Sequence, residues 1–209
     1  MSVAIFYSAI PPDSHLYQRL QTERALMLLV ERLFPYGNGI FRFFEIEPAE
    51  IDEILNDVIE EHQNILGSES EATVWIDQFR EEIRLTCEAY PGIEDRSTML
   101  ESATRIERRL SQKLVEQQVE NASERVRSLI VGVQDFAPHL SGADFEYRMM
   151  FVPLSLVQEG ARLLQEIDPN TFFTEQEDER GYNRTQFTGL RNLYLEAAER
   201  NEEVLVLVE

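Results

Sequence analysis

The pattern of apolar and polar positions predicts a mostly helical chain with a strand near each end. Residues 3–10 are β-branched and aromatic, and two prolines follow them, which predicts an opening strand. Residues 204–208 are aliphatic without alternation, so both faces of that strand should be covered. We therefore predict an α+β fold that is predominantly helical. Its small mixed sheet should include the N-terminal strand and, beside it, a buried C-terminal strand. That strand is either central in the sheet or covered by helices on one face and by a neighbour on the other.

Apolar residues at three- and four-residue spacing predict helices between these strands. One such pattern covers residues 16–34 and should end at Pro35. The clearest helix begins at Pro48, because proline at the first helical position loses no hydrogen bond, and ends at Gly67. A further helix is predicted over residues 70–90.

Shorter elements are predicted on either side of these helices. The aromatic run at residues 40–44 and the apolar run at residues 147–154 are both interpreted as strands. Helices should follow over residues 155–167 and from residue 187 to Asn201, which suits a left-handed cap.

Residues 97–131 contain no glycine or proline and keep a narrow apolar seam. This pattern predicts one long helix or two nearly collinear helices. The helix either packs along one side of the core or forms half of a coiled coil, which would make the protein a homodimer through this segment. The length predicts one domain, residues 1–209, with a helical elaboration at about residues 70–131.

The charge balance disfavours several classes of partner. The chain has 39 Asp and Glu against 19 Lys and Arg, a formal charge of −20. Such a field repels phosphate groups, so nucleic acids and anionic membranes are excluded as expected partners. The same sign favours a basic protein partner, although a strong charge also serves solubility alone. The composition and the lack of a signal or membrane-spanning pattern predict a cytoplasmic protein.

The helix after Pro48 carries an acidic stripe opposite its apolar arc. Its members recur at intervals of three and four: Glu50, Glu53, Asp57 and Glu61. Like charges at these spacings cost an isolated helix about 0.2–0.5 kcal/mol per pair, so the stripe does not serve helix stability. It is either a docking face for a basic partner or a solvated face whose repulsion is screened by salt and nearby arginines.

No motif for catalysis or metal binding stands out. His15, His62 and His139 are isolated in sequence and lie outside any metal-binding pattern. Cys87 lies beside Glu88, which would raise its thiol pKa, and is interpreted as a small buried hydrophobe. A nucleophile elbow, a P-loop and a dinucleotide fingerprint are all absent from the sequence. We therefore predict no catalytic residue, no metal and no cofactor.

Two stretches near the C-terminus have a recognisable order, YRMMFVPLSLVQEGARLLQEI and FTGLRNLYLEAAERNEEVLVLVE. The matching residues are Phe151, Leu154, Ser155, Val157, Leu164, Leu190, Leu193, Tyr194, Ala197, Ala198 and residues 204–208. This order resembles the closing half of the YfbM-like family, bacterial proteins grouped as a domain of unknown function. The opening MSVAIFYSAIPPD is similar to the family's first strand and turn. The resemblance implies a fold and offers no catalytic residues.

Two functions are compatible with these observations. The first is a non-enzymatic acidic interaction protein, of an immunity or regulatory type, that binds a basic protein. The second is a small-molecule-binding protein or enzyme whose site is assembled from dispersed residues. Tyr7, Arg148 and Tyr182 are the candidates to line a pocket beside the sheet in that case.

Overall fold

A five-stranded sheet lies between two layers of helices in the computed structural model. The model describes residues 4–37, 39–45, 48–140, 147–178 and 181–208, without the side chains of 43–45 and 48–50. The strands are Ile5–Ile10 (β1), Ser97–Leu100 (β2), Gln134–Asp135 (β3), Arg148–Val152 (β4) and Glu203–Val208 (β5). Their order is β2-β1-β5-β4-β3. The α+β class is confirmed, but the described strands pair only antiparallel, so the sheet is not mixed.

The central strand is β5, which is one of the two arrangements that its uninterrupted aliphatic sequence predicts. It pairs with β1 from Ile5 opposite Val208 to Ile10 opposite Glu203, and with β4 on its other side. Side chains of one strand alternate between the two faces, so β5 contributes apolar groups to both helical layers. The predicted position beside the first strand is confirmed.

The first helical layer covers the face that presents Phe6, Leu205 and Leu207. Its helices are His15–Leu20 (α1), Arg24–Gly37 (α2), Pro48–Glu61 (α3), Gln63–Leu66 (α4) and Glu69–Ala89 (α5). The single helix predicted for residues 16–34 is therefore divided in two, and Pro35 lies within the last turn of α2.

The strand predicted at residues 40–44 is wrong, because Ile40–Glu45 is a 3-10 helix. Ile40 and Phe41 are both buried in the first core. Neighbouring residues of a strand point to opposite faces, whereas a tight helical turn allows both to face the same core.

The second helical layer covers the opposite face, which presents Tyr7, Met150 and Val206. Its helices are Ala103–Glu116 (α6), Ala122–Val131 (α7), Leu154–Gln165 (α8), Pro169–Phe172 (α9) and Tyr182–Arg200 (α10). In the described part of the chain, no helix combines the length and the apolar character needed to cross a lipid bilayer.

The prediction of one long helix or two collinear helices over residues 97–131 is wrong. The segment begins as β2, and α6 packs against α7 across a turn. Gln118 and Asn121 in this turn adopt positive φ angles of 60° and 54°, which reverse the chain without a glycine. The apolar pattern gave a wrong prediction because Leu100 fits the helical spacing but lies in β2, opposite Ile5 of β1. Residues 70–131 contribute to both helical layers and to the sheet edge.

Candidate functional site: the acidic stripe and the α3 cleft

Helix α3 holds the acidic stripe on a well-anchored element. Its inner side buries Ile51, Ile54, Leu55 and Val58 in the first core. Glu53, Asp57 and Glu61 are exposed on the other side, and the side chain of Glu50 lies outside the described residues. Because the apolar arc fixes the orientation of the helix, these three carboxylates project together toward solvent.

Of the described members of the stripe, only Glu61 lies near a cation, the guanidinium of Arg32. Glu61 Oε2 lies 3.6 Å from Arg32 Nη2 and 3.7 Å from His62 Nε2. Glu53 and Asp57 form no ion pair with the residues that the structure describes. The stripe therefore presents unneutralised negative charge.

A small polar cleft of about 250 Å³ adjoins the stripe, and we call it the α3 cleft. It lies between α2, α3 and the residue that precedes β4. Its lining residues are Arg32, Tyr36, Ile54, Asp57, Val58, Glu61 and Tyr147. Two members of the stripe thus form one wall, and two tyrosines and an arginine from distant parts of the sequence complete it.

A hydrogen-bonded network of charged groups surrounds Arg32 in this cleft. The carboxylate of Glu31 is fully buried, accepts a 2.7 Å hydrogen bond from the Tyr147 backbone N–H and lies 3.4 Å from Arg32 Nε. Arg32 Nη2 also lies 2.8 Å from His62 Nε2. Since guanidinium is only a donor, Nε2 accepts and the His62 proton lies on Nδ1. The network fixes the position of Arg32 in the cleft wall.

The electrostatic balance of the α3 cleft is negative. Three carboxylates, from Glu31, Asp57 and Glu61, lie in or next to it, whereas Arg32 supplies one guanidinium. The arginine is shared between Glu31 and Glu61, so its charge is already compensated. The cleft therefore favours a cationic group over an anion.

The pocket predicted from Tyr7, Arg148 and Tyr182 is not formed. Tyr7 is completely buried, and its hydroxyl donates a 2.6 Å hydrogen bond to the Ile130 carbonyl. Burial is also the main cause that raises its pKa. A completely buried side chain cannot line a pocket that is open to a ligand. The prediction that Tyr7 is a pocket residue is therefore wrong.

The other two residues of that prediction lie at the surface with partners of their own. Arg148 is mostly exposed, and its Nε donates a 2.5 Å hydrogen bond to Asp135 Oδ1. Tyr182 donates its hydroxyl to Glu101. The three side chains therefore have three different hydrogen-bond partners, and within the described ranges they do not share one.

The histidines and the cysteine are engaged separately. His15 Nδ1 lies 2.9 Å from both carboxylate oxygens of Glu82, whereas His62 belongs to the Arg32 network and His139 is exposed. Among the residues described, no three His, Cys, Asp or Glu side chains are grouped to hold a metal ion.

Cys87 is half-buried rather than fully buried. Its thiol pKa is raised, as predicted, but the causes are burial and then Glu94 rather than the adjacent Glu88. A raised pKa keeps the thiol protonated and unreactive.

An open groove of about 850 Å³ runs along the outer side of α6. Ser111, Val115 and Ser123 are among its lining residues, and Val115 is 62% exposed. This groove lies within the segment for which a homodimer was predicted, and homodimerisation stays a prediction.

Sequence reasoning identified only one wall of the α3 cleft. Asp57 and Glu61 were detectable from their helical spacing. Arg32, Tyr36 and Tyr147 were missed because they lie on two other elements and follow no spacing rule. The available signal in the sequence was the charged pair Glu31–Arg32 within a largely apolar helix.

Comparisons of the chain with protein-family models, with curated proteins and with solved structures gave no match. The resemblance to the YfbM-like family therefore stays a prediction, and the candidate site is defined by its own geometry.

Proposed function

We propose that this protein is a non-enzymatic interaction protein, immunity-type or regulatory, that binds a basic protein partner through the acidic stripe of α3. The observation that carries the proposal is the exposure of Glu53, Asp57 and Glu61 on one side of a helix whose opposite side is anchored in the core. The overall charge of −20 would attract such a partner from a distance.

The arrangement of the stripe supports docking beyond a general role in solubility. Solubility requires net charge anywhere on the surface, whereas Glu53, Asp57 and Glu61 are concentrated at spacings that disfavour the helix itself. Complementary charge at a fixed surface accelerates association and sets the orientation of the partner. A rigid acidic helix face is suited to both tasks.

Affinity capture with charge-matched variants tests the proposal. The first variant neutralises the stripe by Glu53→Gln, Asp57→Asn and Glu61→Gln. The control carries Glu120→Gln, Glu124→Gln and Glu175→Gln, three exposed acids of the other helical layer, so the net charge is identical. A basic protein should be captured by the wild type and the control at about 0.1 M salt and be released at about 1 M, because salt screens exposed charges.

The stripe variant should capture at least tenfold less of this protein than the control, in line with several lost ion pairs of about 0.5 kcal/mol each. Equal loss in both triple variants would show that only net charge matters and would contradict docking at the stripe. A partner that is insensitive to salt would contradict the electrostatic basis of the proposal.

A second candidate function is a small-molecule-binding protein or an enzyme with a site assembled from dispersed residues. The α3 cleft favours it, because Arg32, Asp57 and Tyr147 come from three separate elements. A small molecule that raises the melting temperature of the wild type, but not that of Tyr36→Leu, would identify this function.

We also propose that the chain is a YfbM-like protein that acts in the cytoplasm. The order of β4, α8, α10 and β5 supports the family, since it agrees with the strand, helix, helix and terminal strand that the resemblance implies. A structure of a YfbM-like protein with a different strand order would contradict it.

A further inference from the structure

We propose that the α3 cleft is the receptor for a guanidinium group, supplied by an arginine side chain of the basic partner. This inference rests on the proposed function and assigns a specific anchor to it. The acidic stripe attracts the partner, and the α3 cleft holds one of its side chains.

The size of the cleft suits a single side chain. Pockets for cofactors and drug-sized ligands usually measure about 300–1,000 Å³, and the α3 cleft, at about 250 Å³, lies below that range. A long, narrow arginine side chain requires less room than a cofactor. Arginine is also among the residues that most often anchor protein interfaces by entering a pocket.

The chemistry of the walls matches a planar cation. Asp57 and Glu61 are one helical turn apart on the same side of α3 and offer carboxylate oxygens to a group with five N–H donors. Tyr36 and Tyr147 add aromatic rings, whose faces attract cations. Ile54 and Val58 provide apolar surface for the methylene stem.

The resident Arg32 does not reverse this preference. It is 16% exposed, and its guanidinium lies between the buried carboxylate of Glu31 and the exposed carboxylate of Glu61. Asp57 has no ion pair among the described residues and supplies the remaining negative charge. An incoming guanidinium thus meets a net negative cleft.

A pair of short peptides tests the anchor directly. The first is acetyl-Gly-Arg-Gly-amide, and the second replaces arginine with citrulline, which has nearly the same shape and no charge. Titration is followed by NMR of protein labelled with carbon-13 in its tyrosine rings. The arginine peptide should shift the signals of Tyr36 and Tyr147 with saturation, and the citrulline peptide should not.

Two tyrosine variants separate the cleft from the general charge. Tyr36→Leu removes a half-exposed ring of the cleft, and Tyr182→Leu removes a similarly exposed ring on α10. Neither changes the net charge. Tyr36→Leu should lower the affinity for the arginine peptide about two- to fivefold, the range of an exposed cation–π contact. Tyr182→Leu should leave this affinity unchanged. Asp57→Asn should lower the affinity for the arginine peptide by a similar factor.

The inference and the proposed function can fail separately. Equal binding of the two peptides, or equal affinities of the two tyrosine variants, would overturn the guanidinium site while leaving stripe-dependent capture intact. Arginine-specific binding without a stripe-dependent protein partner would overturn a protein as the source of the cation. In the capture experiment, less partner on Tyr36→Leu than on Tyr182→Leu supports the inference.

Discussion

The two helical layers bury their polar groups in different ways. Beneath the second layer, the fully buried Tyr7 and Tyr194 donate hydroxyl hydrogen bonds of 2.6 and 2.5 Å to the carbonyls of Ile130 and Leu129 in α7. The first layer contains a charged pair beside the α3 cleft, with Glu31 fully buried next to Arg32. The second layer also has a buried carboxylate, that of Asp178, which lies 3.0 Å from Arg184 Nε at the start of α10, whereas the charged network of the first layer lines a cleft that opens to solvent.

This difference bears on which side of the molecule we propose for binding. Burial of a hydroxyl that has a carbonyl partner costs little free energy. Burial of ions costs more, even when partners compensate their charges. Charges buried next to a cleft are typical of functional sites, although structural ion pairs also occur. The charged groups beside the α3 cleft therefore support our proposal that the first layer is the binding side.

Removal of the strand shared by both layers should have the largest effect. Deletion of residues 204–209 eliminates the pairing of β5 with β1 and β4 and exposes apolar surface in both cores. We expect the truncated chain to be unfolded, with no cooperative transition in thermal melting followed by circular dichroism. A truncated protein that melts like the full chain would show that the layers are stable without their common strand.

The second-largest effect should come from the ion pair Arg96–Glu202, just before β2 and β5. Arg96 Nη1 lies 2.8 Å from Glu202 Oε1, and both side chains are almost completely buried. Glu202→Gln should lower the free energy of unfolding by about 3 kcal/mol, because it leaves a buried guanidinium uncompensated. Urea denaturation measures this loss. The double variant Arg96→Met, Glu202→Leu should be about as stable as the wild type, since apolar pairs replace buried ion pairs without loss.

The pH dependence of the same pair sharpens this prediction. Burial raises the pKa of Glu202, and the nearby Arg96 offsets it only in part. A folded-state pKa above the unfolded value means that the folded protein binds more protons between the two. The contribution of Glu202 to stability therefore falls as pH rises from the ordinary glutamate pKa through the raised one. The stability of the double variant relative to the wild type should increase over that window, and a decrease would contradict the sign.

The smallest effect concerns the neutral hydroxyls of the second layer. Tyr194→Phe should lower the free energy of unfolding by about 1–3 kcal/mol, because the Leu129 carbonyl loses its donor in a buried site. Tyr182→Phe, at an exposed tyrosine, should change it by less than about 0.5 kcal/mol. Equal losses in urea denaturation would indicate that burial of the hydroxyl is not the cause.

Much of the architecture was predictable because hydrophobic patterning reports local burial. The uninterrupted aliphatics of β5 indicated a strand covered on both faces, and Asn201 was correctly predicted as a left-handed cap, with φ 57°. The turn at Gln118 was not predictable, since nothing in its side chain requires a positive φ.

The candidate site was only half predictable, for a related reason. Helical spacing placed Asp57 and Glu61 on one side of α3, but no local rule joins Arg32 to Tyr147. Tyr7 failed as a pocket residue because its hydroxyl is engaged by Ile130, a contact far along the chain. Convergence of distant residues depends on tertiary packing, which periodicity does not encode.

The central position of β5 also affects how the chain reaches this structure. Its partner β1 is the first strand that the structure describes. Nearly the whole described chain must therefore be synthesised before β1 and β5 can pair. Contacts between residues that are far apart in sequence form late and lower the folding rate. On the ribosome, β1 would emerge long before its principal neighbour, and both helical layers would lack their common support until β5 followed. We therefore expect folding to be completed only after synthesis of β5, with chaperone dependence concentrated in that interval.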